Sequence, residues 1–430
     1  MKIVFVGAGS IVFVKNLVGD CMLTPALCDA EFALLDIDKD KLYLVERMLH
    51  TLNDNINSGK AVIKAYENQK DGLRNADFVI TTIQVGGYDK VTEDFEIPLK
   101  YGLKQTFGDT IGIGGIMRGL RTIPVMLDIV KDMEEVCPNA WLLNYTNPMA
   151  IITGALLKST SIKTIGLCHS VQICADELLN GLNMDTDHIS YHIAGINHQA
   201  WLLEITRNGV DIYPEIRRKA AERPTPHNDM VRYEIMKQFG YYVTESSLHS
   251  SEYMPYFIKN RYPELLGQFG IRTDMYTNWE QSRIDYWDET KQKLMDNTTL
   301  THTLSREFAS HIINAIVTDT PYEISANVLN KNYITNLSYD ACVEVPCLVN
   351  GHGITPCFVG NLPTQCAALN QTNIGMQNLA IEAALTGKKS FMYLAAMLDP
   401  HTSAELSIND IHAMCDELLA ANAEWIHLSD

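Results

Sequence analysis

Lys2-Ile3-Val4-Phe5-Val6-Gly7-Ala8-Gly9-Ser10 is the stretch that decides the fold. Its apolar run predicts a strand buried on both faces. Gly7 and Gly9 predict a tight turn, and Val14, Leu17 and Val18 mark the helix that follows. In that order, a Gly-x-Gly turn can bring backbone against a pyrophosphate at a helix N-terminus. The third glycine of the full fingerprint is absent, with Phe13 and its neighbours in its place, so the motif needs support from further along.

The support begins with Glu31-Phe32-Ala33-Leu34-Leu35-Asp36, a second apolar run that ends in an acid. In a parallel sheet this acid stands where an adenosine ribose is held, somewhat beyond the usual spacing of ~20 residues. It favours NAD over NADP by repelling a 2′-phosphate. The alternative for Asp36 is a helix cap ahead of Lys39. A helix over 39–55 and strands over 61–66, 77–83, 140–144 and 163–167 continue the alternation. The fold class expected is α/β, an N-terminal Rossmann-like doubly wound parallel sheet packed against a mixed α+β C-terminal domain. The division expected is residues 1–190 and 191–430.

Gly7, Asp36, Gln84, Asn147 and Cys168 each fall just past the carboxyl end of a predicted strand. Open α/β sheets bind ligands along that edge. Gly7, Gly9, Ser10, Asp36 and Gln84 are the candidate cofactor contacts. In Leu167-Cys168-His169-Ser170, a thiol and an imidazole stand where strand gives way to helix. Ser170 is the expected cap of a helix from about Gln172, whose N-terminus would lean the thiol toward thiolate. A second imidazole, His198, follows the apolar run Ala194-Gly195-Ile196. Together Cys168 and His198 form a first-row metal site, with Mn, Fe, Co and Zn all compatible. Apart, they are a buried free cysteine and a satisfied core histidine. The shared rim favours the metal site.

From His188 the texture changes. Strands are expected over 189–193 and 201–206, and a polar helix or loop over 217–222. Residues 240–253 are dense in phenols, hydroxyls and acids around His249. Gly112–Arg118 reads as a flexible approach to a helix over about 116–135. Residues 272–306 read as charged helical surface and 348–363 as a Gly/Pro loop cluster. Long helices follow from 367.

Across its 430 residues the chain is 46% hydrophobic, 20% charged and carries a net charge of −18, which argues against a nucleic-acid-binding surface. Ten cysteines without a Cys-x-x-Cys pair suggest neither zinc ribbon nor dithiol redox centre. No apolar segment reaches the ~18 residues of a membrane span, and the start lacks a signal peptide's form. A reducing cytoplasm, a small-molecule substrate and no membrane partner are expected.

With these residues in place, the chain resembles glycoside hydrolase family 4 along nearly its whole length. The resemblance rests on Gly7–Ser10, Ile97–Gly102, Asn144-Tyr145-Thr146-Asn147-Pro148, Cys168-His169-Ser170, Gly195–His198 and Phe239-Gly240-Tyr241. Cys168–Val171 is similar to the α-galactosidase branch. The resemblance implies a homodimeric or homotetrameric enzyme dependent on NAD and Mn2+. It would oxidise the sugar at C3, eliminate across C1–C2, add water and reduce C3. Cys168 and His198 would hold the metal as a Lewis acid toward the C2 and C3 oxygens, and Asn147 would hold sugar hydroxyls. Tyr241 is the expected base, with Tyr242 and Tyr253 as rivals, and His169 the expected proton donor where phospho-sugar members carry Asp. Melibiose- or raffinose-type α-galactosides are the expected substrates, with α-uronides or α-glucosides as the alternative. Two rivals remain outside the family: an NAD-dependent 2-hydroxy acid dehydrogenase and a non-catalytic sugar sensor.

Overall fold

The computed structural model describes residues 1–273, 282 and 299–430. The first half carries six strands: β1 (Lys2–Val6), β2 (Glu31–Leu35), β3 (Val62–Tyr66), β4 (Phe78–Thr81), β5 (Trp141–Asn144) and β6 (Lys163–Gly166). They lie parallel in the order β3-β2-β1-β4-β5-β6, with helices as crossovers. Every residue of β1 and β4 is buried, because helices cover both faces, and this is why their sequences are unbroken apolar runs. Among the described residues, β3 pairs only with β2. It alternates exposed Val62 and Lys64 with buried Ile63, as an edge strand should.

The second half extends the same sheet. Its strands are β7 (Ile189–Ile196), β8 (Gln199–Arg207), β9 (Val210–Asp211), β10 (Tyr242–Val243), β11 (Tyr322–Leu329), β12 (Cys342–Asn350) and β13 (Gly353–Pro356). β11 meets β6 antiparallel at Asn327 and Gly166, and the order runs on through β12, β7, β8 and β10. The sheet therefore continues across residue 190, and one apolar core reaches from Ile3 to Ile426. A smaller apolar cluster lies under the helix Ser170–Gly181, around Leu178, Ile205, Ile216 and Tyr242. No helix among the described residues is long and apolar enough to cross a membrane.

Several local expectations change. Gly112–Gly115 are already the first turn of the helix Gly112–Val136. Of the expected loop cluster at 348–363, residues up to Pro356 form the β12–β13 hairpin. The expected charged helix over 272–306 lies mostly outside the described residues. Its described end, 299–306, carries neither helix nor strand.

Candidate active site

Two rims of backbone meet at the carboxyl ends of β1, β2, β4 and β6. At the first, the amides of Gly7 and Ala8 both donate to the Leu35 carbonyl at 2.9 Å, locking the turn onto β2. Gly7 has φ +90°, and a Cβ there would lie 2.3 Å from the Thr82 carbonyl oxygen, so only glycine fits. Gly9 N–H donates to Asp36 Oδ2 at 2.6 Å, and Asp38 N–H donates to Asp36 Oδ1 at 2.9 Å. Asp36 therefore faces the glycine turn. The cap of the helix Lys39–Asn57 is Asp38, which accepts from Lys41 N–H. Ser10 is the N-cap residue of the helix Ile11–Leu23, without a side-chain cap bond. Gln84 carries its Nε2 buried and without a partner among the described residues, a donor available to a ligand. A bare glycine turn, a carboxylate beside it and an unpartnered amide fit a dinucleotide.

At the second rim, Cys168 Sγ, a His198 ring nitrogen and a Glu245 carboxylate oxygen all lie within 4.8 Å of one another. His198 occupies the two-residue turn between β7 and β8, at φ +62°. Glu245, at φ +68°, is brought there by β10 pairing with β8, and Thr244 N–H donates to the Ala200 carbonyl at 2.9 Å. Two side chains of one small cluster thus sit on strained backbone, which is found where function over-determines geometry. His198 Nε2 stands 3.4 Å from Glu245 Oε2, a loose contact for a hydrogen bond. Thiol, imidazole and carboxylate at this separation fit a first-row divalent cation.

Ser170 is not the expected cap. The N-cap residue is His169, and the Ser170 hydroxyl instead lies 3.3 Å from Cys168 Sγ. Burial, with the charge of Glu245, pushes the Cys168 thiol above its ordinary pKa, against the lean that the helix N-terminus gives it. A divalent cation among these groups would invert that environment.

Behind the cluster, charges alternate. His249 Nδ1 lies 3.5 Å from Glu245 Oε1, and its Nε2 lies 3.6 Å from Asp109 Oδ1. Arg118 Nη1 stands 3.8 Å from Asp109, and Phe107 stacks on His249 with centroids 4.0 Å apart. Burial alone would raise Glu245, but the charges of His198 and His249 outweigh it and hold the carboxyl at about 2. The loop carrying Asp109 is pinned by Glu252, which accepts from the amides of Thr106, Phe107 and Gly108. Burial still raises the Glu252 carboxyl to about 7.

Residues 2–184 match the family described as Family 4 glycosyl hydrolase, and residues 193–402 match its C-terminal domain. The chain belongs to the family 4 glycosyl hydrolases. An alpha-galactosidase of Bacillus subtilis is 56% identical over 99% of each chain. An alpha-galactosidase of Rhizobium meliloti is 34% identical over 99% of this chain and 89% of that one. Among solved structures, a 6-phospho-alpha-glucosidase from gut microorganisms, in complex with NAD and Mn2+, superposes with a TM-score of 0.83. It is 20% identical and covers 100% of this chain and 99% of that one.

In this family 4 hydrolase, His169 Nε2 lies 2.7 Å from Glu307 Oε2. Burial would lower His169, yet the hydrogen bond and charge of Glu307, with Glu245 behind it, raise its pKa. Asn147 presents its carbonyl to Arg118 Nε at 3.2 Å, on the turn between β5 and the helix Met149–Ser159. The tyrosines separate clearly. The ring of Tyr241 packs edge-on to Tyr213, 6.3 Å away, one residue before the β10 strand that pairs Tyr242 with Leu202. Three residues, Tyr242, Val243 and Thr244, part it from Glu245 along the chain. Tyr242 spends its hydroxyl on Asp229 at 2.5 Å. Tyr253 has its ring 6.3 Å from that of His198, and its hydroxyl is buried with no partner among the described residues. Of the three tyrosines, Tyr253 is thus the one with its ring beside that of His198 and its buried hydroxyl uncommitted among the described residues. Glu245 and Glu307 were missed as individual residues. The dense 240–253 stretch contains Glu245, but Glu307 has no signal in its own neighbourhood.

Proposed function

We propose that this chain is an NAD- and Mn2+-dependent α-galactosidase. The observation that carries the reading is the Cys168–His198–Glu245 cluster, built on the same sheet edge as the Gly7–Asp36 turn. The full-length relatives at 56% and 34% identity, both named alpha-galactosidase, support the substrate.

The glycine turn, Asp36 and Gln84 would hold NAD, which when bound supplies reversible oxidation of a sugar hydroxyl to a ketone. Cys168, His198 and Glu245 would hold the cation, which supplies Lewis-acid stabilisation of charge on sugar oxygens. The chain's own residues then move protons. Tyr253 takes the proton from C2 of the sugar, a position made acidic by a neighbouring ketone. Burial, and after it the charges of Asp109 and Glu245, push this phenol well above its ordinary pKa. A cation between the ligands offsets them. His169 gives a proton to the departing glycosidic oxygen, with Glu307 holding it in the donor form. Asn147 orients sugar hydroxyls from the β5 turn. Direct displacement leaves the C2–H bond intact, whereas this scheme breaks and remakes it.

Hydrolysis of 4-nitrophenyl α-galactoside in heavy water tests the reading. Deuterium should appear at C2 of the released galactose, and turnover should require NAD without consuming it. Full rates after exhaustive removal of nucleotide, with only protium at C2, would overturn it.

A further inference from the structure

The segment 299–308 crosses from the second half of the chain onto the helix Ile11–Leu23, the helix that the dinucleotide turn opens into. Asn55 Nδ2 donates to the Leu300 carbonyl at 3.0 Å. Asp20, 1% exposed, then binds two residues of the segment through three contacts: His302 Nε2 lies 2.7 Å from Oδ1, and Ser305 N–H donates to Oδ1 at 2.8 Å, with its hydroxyl on Oδ2. Gly19 makes room for this, because a Cβ there would fall 2.5 Å from the His302 ring. Two residues on, Glu307 N–H donates to Ser305 Oγ at 3.0 Å, and the Glu307 carboxylate reaches His169 Nε2 at 2.7 Å. Phe308 closes the same spot, its ring edge-on to His169 at 6.0 Å and 6.2 Å from Tyr145.

We propose that Asp20 latches the strap 299–308 to the dinucleotide-side helix so that Glu307 aims His169 at the leaving group. Asp20 and Glu307 are positioning residues, and the inference rests on the reading of His169 as proton donor. Glu307 occupies Nε2, which leaves Nδ1 to give its proton to the glycosidic oxygen as the C1–O bond breaks. The electron pair of that bond stays with the departing oxygen, while the C2 proton goes to the base. His169 recovers a proton from solvent before the next turnover. A buried carboxylate on the nucleotide-side helix thereby fixes the aim of an acid on a different rim.

An acid is needed most when the leaving oxygen is strongly basic. A nitrophenolate leaves with little help, whereas the sugar alkoxide of melibiose does not. The test compares turnover of 4-nitrophenyl α-galactoside and melibiose by the NAD- and Mn2+-loaded enzyme and by four variants. The ratio of the two rates in one preparation cancels any difference in folded fraction. His169→Ala should raise the nitrophenyl-to-melibiose ratio most. Glu307→Ala and Asp20→Ala should each raise it about tenfold or more, the usual cost of losing an outer partner. Glu307→Gln keeps an acceptor for Nε2 but loses the charge that favours the protonated ring, so its ratio should fall between wild type and Glu307→Ala. If His169→Ala raises the ratio and Glu307→Ala or Asp20→Ala leaves it at the wild-type value, the strap has no such role. If His169→Ala itself leaves the ratio unchanged, the donor reading fails and takes this inference with it.

Discussion

The glycine turn and the wall made by residues 245–253 and 307 are built in opposite ways. The turn is local: Gly7, Gly9 and Asp36 sit on adjacent parallel strands, and backbone amides do much of the binding. The wall is assembled from side chains on loops and short helices, each delivered by a distant contact. β10 carries Glu245 beside His198, Glu252 ties down the loop of residues 106–108, and Asp20 delivers Glu307. The difference teaches where function can be read directly: a backbone site shows in a contiguous motif, while a side-chain wall shows only once the chain is folded.

The sharpest way to break the comparison is at the tyrosines. Tyr253→Phe should slow α-galactoside turnover by ~10²–10⁴, the reach of one general base, while Tyr241→Phe stays within a few-fold. Comparable losses in steady-state rates of both variants would return Tyr241 to the site.

A second prediction concerns what holds the wall in place. The Glu252 carboxyl is raised to about 7 by burial, above its value in an unfolded chain. Its contribution to stability is therefore fully present at low pH and is lost as pH climbs through about 7. Glu252→Gln removes that dependence. The stability of wild type relative to this variant should fall by about 2–3 kcal/mol between pH 4 and 8, measured by denaturant unfolding. A difference that is flat or rises with pH would show that the three amides, not burial, govern this carboxyl.

On the local rim, Asp36→Ala should weaken NAD by ~1–3 kcal/mol in calorimetric titration, the cost of a charge-assisted hydrogen bond. The same change should leave Mn2+ affinity unaltered, because Asp36 is bound to Gly9 and Asp38 and not to the cation cluster. Equal loss of both ligands would mean that the two rims are not separable.

Much of the parallel half was legible because apolar runs, glycine turns and terminal polar residues recur in register with the sheet. Cys168 and His198 were legible for the same reason: each closes an apolar run, at the end of β6 or in the turn after β7. Asp36 had two readings, and the cap reading falls because Asp38 is the N-cap of the helix Lys39–Asn57. Ser170 was misjudged because a hydroxyl at a helix start can cap the helix or turn to a neighbouring thiol, and only the fold chooses. Tyr241, Tyr242 and Tyr253 are equivalent as letters. Burial and the position of each along the β8–β10 pairing separate them. Glu307 lies 138 residues from its partner His169, beyond any local pattern.

On the proposed reading, Glu245, from the loop-built wall, completes a cation site with Cys168 and His198. Titrating Mn2+ into the metal-free enzyme and watching the free-ion paramagnetic signal tests it most directly. Cys168→Ser and His198→Ala should abolish tight binding, and Glu245→Gln should weaken it by about 10–100-fold with one site retained. Unchanged Mn2+ affinity in Glu245→Gln would remove Glu245 from the site, and unchanged affinity in Cys168→Ser would make that residue a core thiol.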